Sequence, residues 1–188
     1  SDDAQDTKKG TGMQTLRLFG MSEESTFVDV EEVELNGTTP VSTSKKWVRV
    51  FRAEGVQYGT DHHNTGKITI GLHKNIYAVV PRRIGRSQMA VFSVPESYTA
   101  YLKKVFILVS KSSGAPCSAT IVILIKNMAR GGIGDVHYTY NISSSAPIVL
   151  PHPIPIPSQH DVRFRVKNGS SANISVSVSA QVVYIQTL

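Results

Sequence analysis

"DVRFRVKNGSSANISVSVSAQVVYI" occupies residues 161–185, and its reading decides the fold. Val, Ile and Phe alternate with Ser, Arg and Lys almost without a break. A period of two belongs to a strand with one buried face. "NGSSA" interrupts the alternation as a turn, so the stretch divides into strands over 161–167 and 173–186. It holds no carboxylate pair, no ligand cluster and no glycine loop for a phosphate. The chain here is architecture.

The same period runs backwards through most of the sequence. "TLRLF" (15–19) alternates, with Leu16 and Leu18 on one face. "TFVDVEEVEL" (26–35) places Val28 and Val30 together and then slips phase at Glu31–Glu32, which predicts a bulge or strand end. "NGTTP" (36–40) is a turn in which Asn-Gly favours positive φ. "KKWVRVFRAEGV" (45–56) sets Val48 and Val50 against Trp47, Arg49 and Phe51. Further strands are expected at 67–72, 75–80, 87–94, 101–110, 118–127 and 136–142. Prolines at 147, 151, 153, 155 and 157 cannot donate to a ladder, so "PIVLPHPIPIP" must be a polyproline-like or edge segment. No window sustains helical periodicity over three turns. Ten to twelve short strands with regular turns indicate an all-β chain, a jelly-roll-like antiparallel β-sandwich. The predicted organisation is a flexible N-terminal arm over 1–12 and one jelly-roll domain over 13–188.

Composition narrows the function classes. A chain of 188 residues can bury a substantial core without staples. Cys117 is the only cysteine, so no intrachain disulfide forms. No apolar run is long enough for a membrane helix. The polar, acidic start lacks a Met and is not a signal peptide, which reads as a cleaved or truncated start. Residues 1–34 carry nine acids against three bases, and the remainder carries 17 bases against five acids. One reading is a basic surface for an acidic partner. The other is head-to-tail assembly, with the acidic end of one copy on the basic body of the next. Nucleic acid is the weaker reading, because no basic run is interleaved with stacking aromatics. Arg82, Arg83, Arg86, Arg163 and Arg165 would carry it.

Candidate chemistry is sparse. Asp61, His62 and His63 could ligate a metal, but adjacent residues of an extended chain point apart, and a solvated loop explains them. His73, His137, His152 and His160 are dispersed. Cys117 has no neighbouring base to activate it. "RGGIGD" (130–135) precedes a strand rather than a helix, so it is not a phosphate loop. Glu54, Asp61, Glu96, Asp135 and Asp161 stand singly, where a glycosidase needs a facing pair. The Asn-X-Ser/Thr triplets at Asn36, Asn141, Asn168 and Asn173 read as turn chemistry. Trp47 with Tyr98, Tyr101, Tyr138 and Tyr140 could line a sugar-binding face. No catalytic, cofactor-binding or metal residues are assigned.

Motif order adds a resemblance. "GTGMQTLRLFGM", "EEVELNGTTPVSTSKKWVRVFRAEGV" and "NTGKITI" are followed by "QMAVFSVPESYTAYLKKV". The chain closes with "PIPIPSQHDVRFRVKNGSSANISVSVSAQVVYI". Over roughly residues 10 to 186 this resembles structural proteins of tailed phages and of large DNA viruses of aquatic microbes, algal viruses included. The segments "LHKNIYAVVPRRIGR" and "MARGGIGDVHYTY" depart from that pattern. The resemblance implies a virion component: a minor capsid, decoration or fibre-type protein of jelly-roll-like fold.

The expectation is therefore a non-enzymatic structural protein of the virion, a minor capsid, decoration or vertex protein. It would act by self-association, with a homotrimer favoured, and by docking on the major capsid protein lattice. Loops 59–66, 81–86, 111–117 and 128–135 are its candidate contact surfaces. The alternative is a carbohydrate- or receptor-binding β module of a viral fibre or spike. That reading calls for Trp47 or the tyrosines beside Asp, Asn or Arg in a groove. A hydrolase or metal enzyme would need three ligands to converge.

Overall fold

The structure, a computed structural model, describes residues 1–25, 28–111, 117–127, 135–143, 146–169 and 174–186. It is all-β, and every strand pair is antiparallel. Where the sequence predicts one sandwich over 13–188, the chain divides into two compact units, Ser1–Met89 and Ala90–Leu188. The predicted strand over 87–94 spans this boundary. Only Val91–Ser93 of it is strand.

The first unit contains β1 (Met13–Ser22), β2 (Asp29–Glu34) and β3 (Trp47–Tyr58) in one sheet, ordered β2-β1-β3. A hairpin of β4 (Ile68–Leu72) and β5 (Asn75–Val80) completes it. Leu16, Leu18, Leu35, Ala53, Ile68 and Val80 build its core together with Met13. The Asn36–Gly37 turn has the expected geometry: Gly37 sits at φ +59°, and Thr39 N–H donates to Asn36 O at 3.0 Å.

Three expectations are corrected here. Residues 1–12 are not a free arm. Thr7 bridges to Asn36, Asp2 N–H donates to Lys67 O, and Asp6 is fully buried. Strand β2 has no slip at Glu31–Glu32 and pairs with β1 in unbroken register. Its better-buried side carries Asp29, Glu31 and Val33, while Val28 and Val30 are exposed. Strand β3 does lose phase. A register shift opposite Phe19–Gly20 lets both Val50 and Ala53 be buried, leaving Val48 exposed.

The second unit is a sandwich of two sheets. One is ordered β10-β7-β12, from β10 (Ala146–Ile156), β7 (Tyr98–Lys111) and β12 (Ile174–Gln186). The other is ordered β6-β11-β8-β9, from β6 (Val91–Ser93), β11 (His160–Gly169), β8 (Ala119–Asn127) and β9 (Asp135–Ile142). Leu102, Val105 and Ile107 of β7 meet Ile121 and Ile123 of β8 in one core, all of them at most 1 % exposed. The proline segment is an edge strand, as its missing N–H groups require, and its register breaks between Val149 and Ile154.

The strand order is informative. An eight-stranded jelly roll has sheets ordered first-eighth-third-sixth and second-seventh-fourth-fifth. Placed in chain order, β6 to β12 take the second to eighth positions without exception. The first position, beside β12, holds no described strand.

Candidate functional site

The first unit holds a cleft of about 630 Å³. Its apolar wall comes from Leu16 and Leu18 of β1, Val33 of β2 and Ile70 of β4, with Trp47 and Tyr77 beside them. Asn36, Lys45, Lys46 and Glu23 supply polar groups around it. The volume lies within the range of small-ligand sites, and an aromatic beside a few polar groups is the usual composition.

The polar side of this region is tied together. Ser44 N–H and hydroxyl donate to Glu31 Oε1 at 2.6 and 2.9 Å, and Lys45 N–H donates to Oε2 at 3.2 Å. Burial raises the Glu31 carboxyl, but these donors outweigh it and the group is held below the usual range. Asp29 pairs with Lys45 and accepts the Ser22 hydroxyl at 2.7 Å. Lys45 above all, then Ser22 and Val30 N–H, lower its pKa to about 2. Strand β2 therefore turns two carboxylates towards segment 42–47, which supplies donors to both.

A second polar node anchors the chain start. Asp6 accepts Ser1 Oγ–H at 2.6 Å, Met13 N–H at 2.8 Å, and Thr65 N–H and Gly66 N–H at 2.9 Å each. Burial alone would raise its pKa, yet the hydroxyl and N–H donors leave it lowered. Nothing local in the sequence signals this role, because Thr65 and Gly66 lie 59 and 60 residues away.

Four further acids of residues 1–34 form ion pairs within their own unit. Asp3 pairs with Arg82 at 3.4 Å, Glu23 with Lys46 at 3.7 Å, Glu32 with Arg17 at 2.5 Å and Glu34 with Lys8 at 2.7 Å. The first unit has 12 bases against 11 acids, and the second has eight against three.

The other sequence candidates are distributed over both units. Asp61 accepts the Thr11 hydroxyl at 2.6 Å and so pins the histidine loop. His62 adopts φ +56°, and the buried Nδ1 of His63 has no hydrogen-bond partner. Among the described residues, no three His, Cys, Asp or Glu side chains gather as metal ligands. Cys117 is buried in the second core. Asp161, fully buried, accepts the Ser93 hydroxyl at 2.5 Å, with Arg163 at 3.2 Å. Trp47 belongs to the first unit and the four nominated tyrosines to the second. Tyr138 and Tyr140 stack with centroids 6.2 Å apart. The arginines nominated for nucleic acid are also divided between the units, with Arg82 donating to Thr65 O. Loops 59–66 and 81–86 are ordered turns. Residues 112–116 and 128–134 of the remaining two candidate loops lie outside the described residues.

No family model, no curated protein and no solved structure matches this chain.

Proposed function

We propose that this chain is a non-enzymatic structural protein of a viral particle: a minor capsid, decoration or vertex protein. It acts by self-association, for which the sequence reading favours a trimer, and by docking on the capsid lattice. The observation that carries this reading is the strand order of Ala90–Leu188, a jelly roll short of its first strand. Fold alone does not assign function. The motif order supports the same reading, and so does the use of charged groups: Asp6, Asp29, Glu31 and Asp161 are engaged in holding strands and turns together.

A second reading has one specific observation behind it. Trp47 and Tyr77 lie with Asn36 and Lys45 in the first unit's cleft, which suits a carbohydrate- or receptor-binding module of a fibre or spike. One experiment separates the two. Native mass is measured by light scattering at low and high salt, and emission of Trp47, the only tryptophan, is followed during titration with a glycan panel. The expected result is a salt-resistant oligomer with unchanged emission. A monomer whose Trp47 emission responds to a glycan would replace the structural reading with the binding one.

A further inference from the structure

Sheet edges invite pairing, and proteins ordinarily guard them with charge, proline or brevity. Most edges among the described strands follow that practice, and the uncharged edges β4 and β5 are only five and six residues long. Strand β2 has four acids in six residues, and β10 has four prolines. Strand β6 is three residues long, and β3 carries Arg49, Arg52 and Glu54. Strand β12 is different. Its thirteen residues, "ISVSVSAQVVYIQ", include no Lys, Arg, Asp, Glu or Pro.

The core also thins at this edge. Across the ladder from β7 to β12, Val178 lies opposite Ile107 and Val182 opposite Leu102. Ile107 and Leu102 are fully buried, whereas Val178 and Val182 are only half-buried although they pack on the same core. A strand in the first jelly-roll position would cover them. Residues 81–90, which lead directly into β6, contribute no strand to that position.

We propose that the open edge of β12 is a two-fold pairing site for β12 of a second copy of this chain. This would join two three-stranded sheets into one antiparallel sheet of six. The inference rests on the self-association half of the reading above, names its surface, and puts a two-fold dimer in place of the trimer favoured there. Self-pairing about a two-fold axis sets each residue of a strand opposite another residue of that same strand. Charged strands such as β2 repel themselves in this arrangement, because like charges directly opposite destabilise a pair. An uncharged strand does not. Centred on Val178, the pairing sets Ser177 opposite the partner's Ser179 and Val176 opposite the partner's Ala180. Hydroxyls then meet hydroxyls on the outer face, and apolar groups meet on the core side. Strand addition at a free edge is an established mode of recognition, with main-chain bonds giving affinity and side-chain alternation giving register.

The test uses exposed positions, so that folding is spared. Ser177 and Ser179 face solvent beside Leu108 and Phe106, along which lysine stems can lie. The full chain, S177K/S179K and S177E/S179E are compared by light scattering at tens of micromolar, with circular dichroism as the folding check. The unsubstituted chain should run at twice its 20.5 kDa mass. Each variant alone should be folded and monomeric, weakened at least about tenfold by opposed like charges. Mixing the two variants should restore a dimer. An oligomer unmoved by either variant would overturn β12 pairing and leave the structural reading standing. A monomeric unsubstituted chain would overturn both. Monomeric variants that fail to recombine on mixing would also overturn the pairing.

Discussion

The two units of this chain are close in length and unlike in construction. Ala90–Leu188 has the larger apolar core: sixteen buried residues form one cluster, with Asp161 the one buried charged residue described in this unit. Ser1–Met89 has a smaller buried cluster of seven and adds polar nodes at Asp6 and at the Asp29–Glu31 pair. The difference teaches where sensitivity should lie. Apolar burial is non-directional and proportional to area, so the second unit responds to volume. A carboxylate collecting several N–H donors is directional and depends on protonation, so the first unit responds to donor geometry and to acid.

The largest effect is expected in the apolar core. Ile123→Ala removes a fully buried side chain between the two sheets and should cost about 4 kcal/mol, as cavity-forming substitutions do. Hydrogen exchange measured by mass spectrometry should show the loss in peptides of 90–188. Protection lost equally in peptides of 1–89 would mean that the two units do not fold as separate bodies. Next in size is Asp6→Ala, which leaves the N–H groups of Met13, Thr65 and Gly66 without their acceptor. Unmet buried donors of this kind should cost about 3 kcal/mol in total. Here the exchange should rise in peptides covering 1–13 and 59–67. Asp6→Asn, which keeps an acceptor oxygen, should recover part of it.

These two sites differ in how far they can be read from sequence. Ile123 lies in "ATIVILI", whose unbroken apolar run announces a strand buried on both faces, and the structure has Ile121, Val122, Ile123 and Ile125 all buried. The terminal alternation, the Asn36–Gly37 turn and the proline edge are legible for the same reason: each is a local consequence of side-chain period or φ. Asp6 is invisible because its partners are distant in sequence. Strand β2 misleads for a related reason. Its valines alternate correctly, but donors from segment 42–47 reward the opposite face, so Asp29 and Glu31 turn inward and Val30 turns out. The boundary at Met89–Ala90 is hidden because "SQMAVFSV" alternates like one strand, although its first half bonds into the first unit through Ser87 N–H to Ala53 O. The cleft could be suspected from Trp47 alone. Its walls needed the hairpin β4–β5 to be placed.

The smallest of the expected effects is also the one that most sharpens the contrast, because it alters no residue. Asp6, Asp29 and Glu31 all have folded-state pKa values lowered from their ordinary ones, and Asp29 reaches about 2. A depressed carboxylate stabilises the fold fully above its unfolded pKa, and that contribution is lost as pH falls through the folded value. For Asp29 the window runs from its ordinary 3.8 down to about 2. In the second unit the buried cluster is apolar. Acid titration from pH 5 to pH 2, followed by Trp47 emission, should therefore report loosening of the first unit. Exchange protection in β7 and β8 peptides should persist over the same range. Lys45→Met should move the Trp47 transition to higher pH by removing the cation that most depresses Asp29. If Trp47 emission and β8 protection instead change together, the polar nodes of the first unit are not what sets its acid limit. The contrast between a donor-held unit and an apolar one would then fail at the point where it makes its most specific claim.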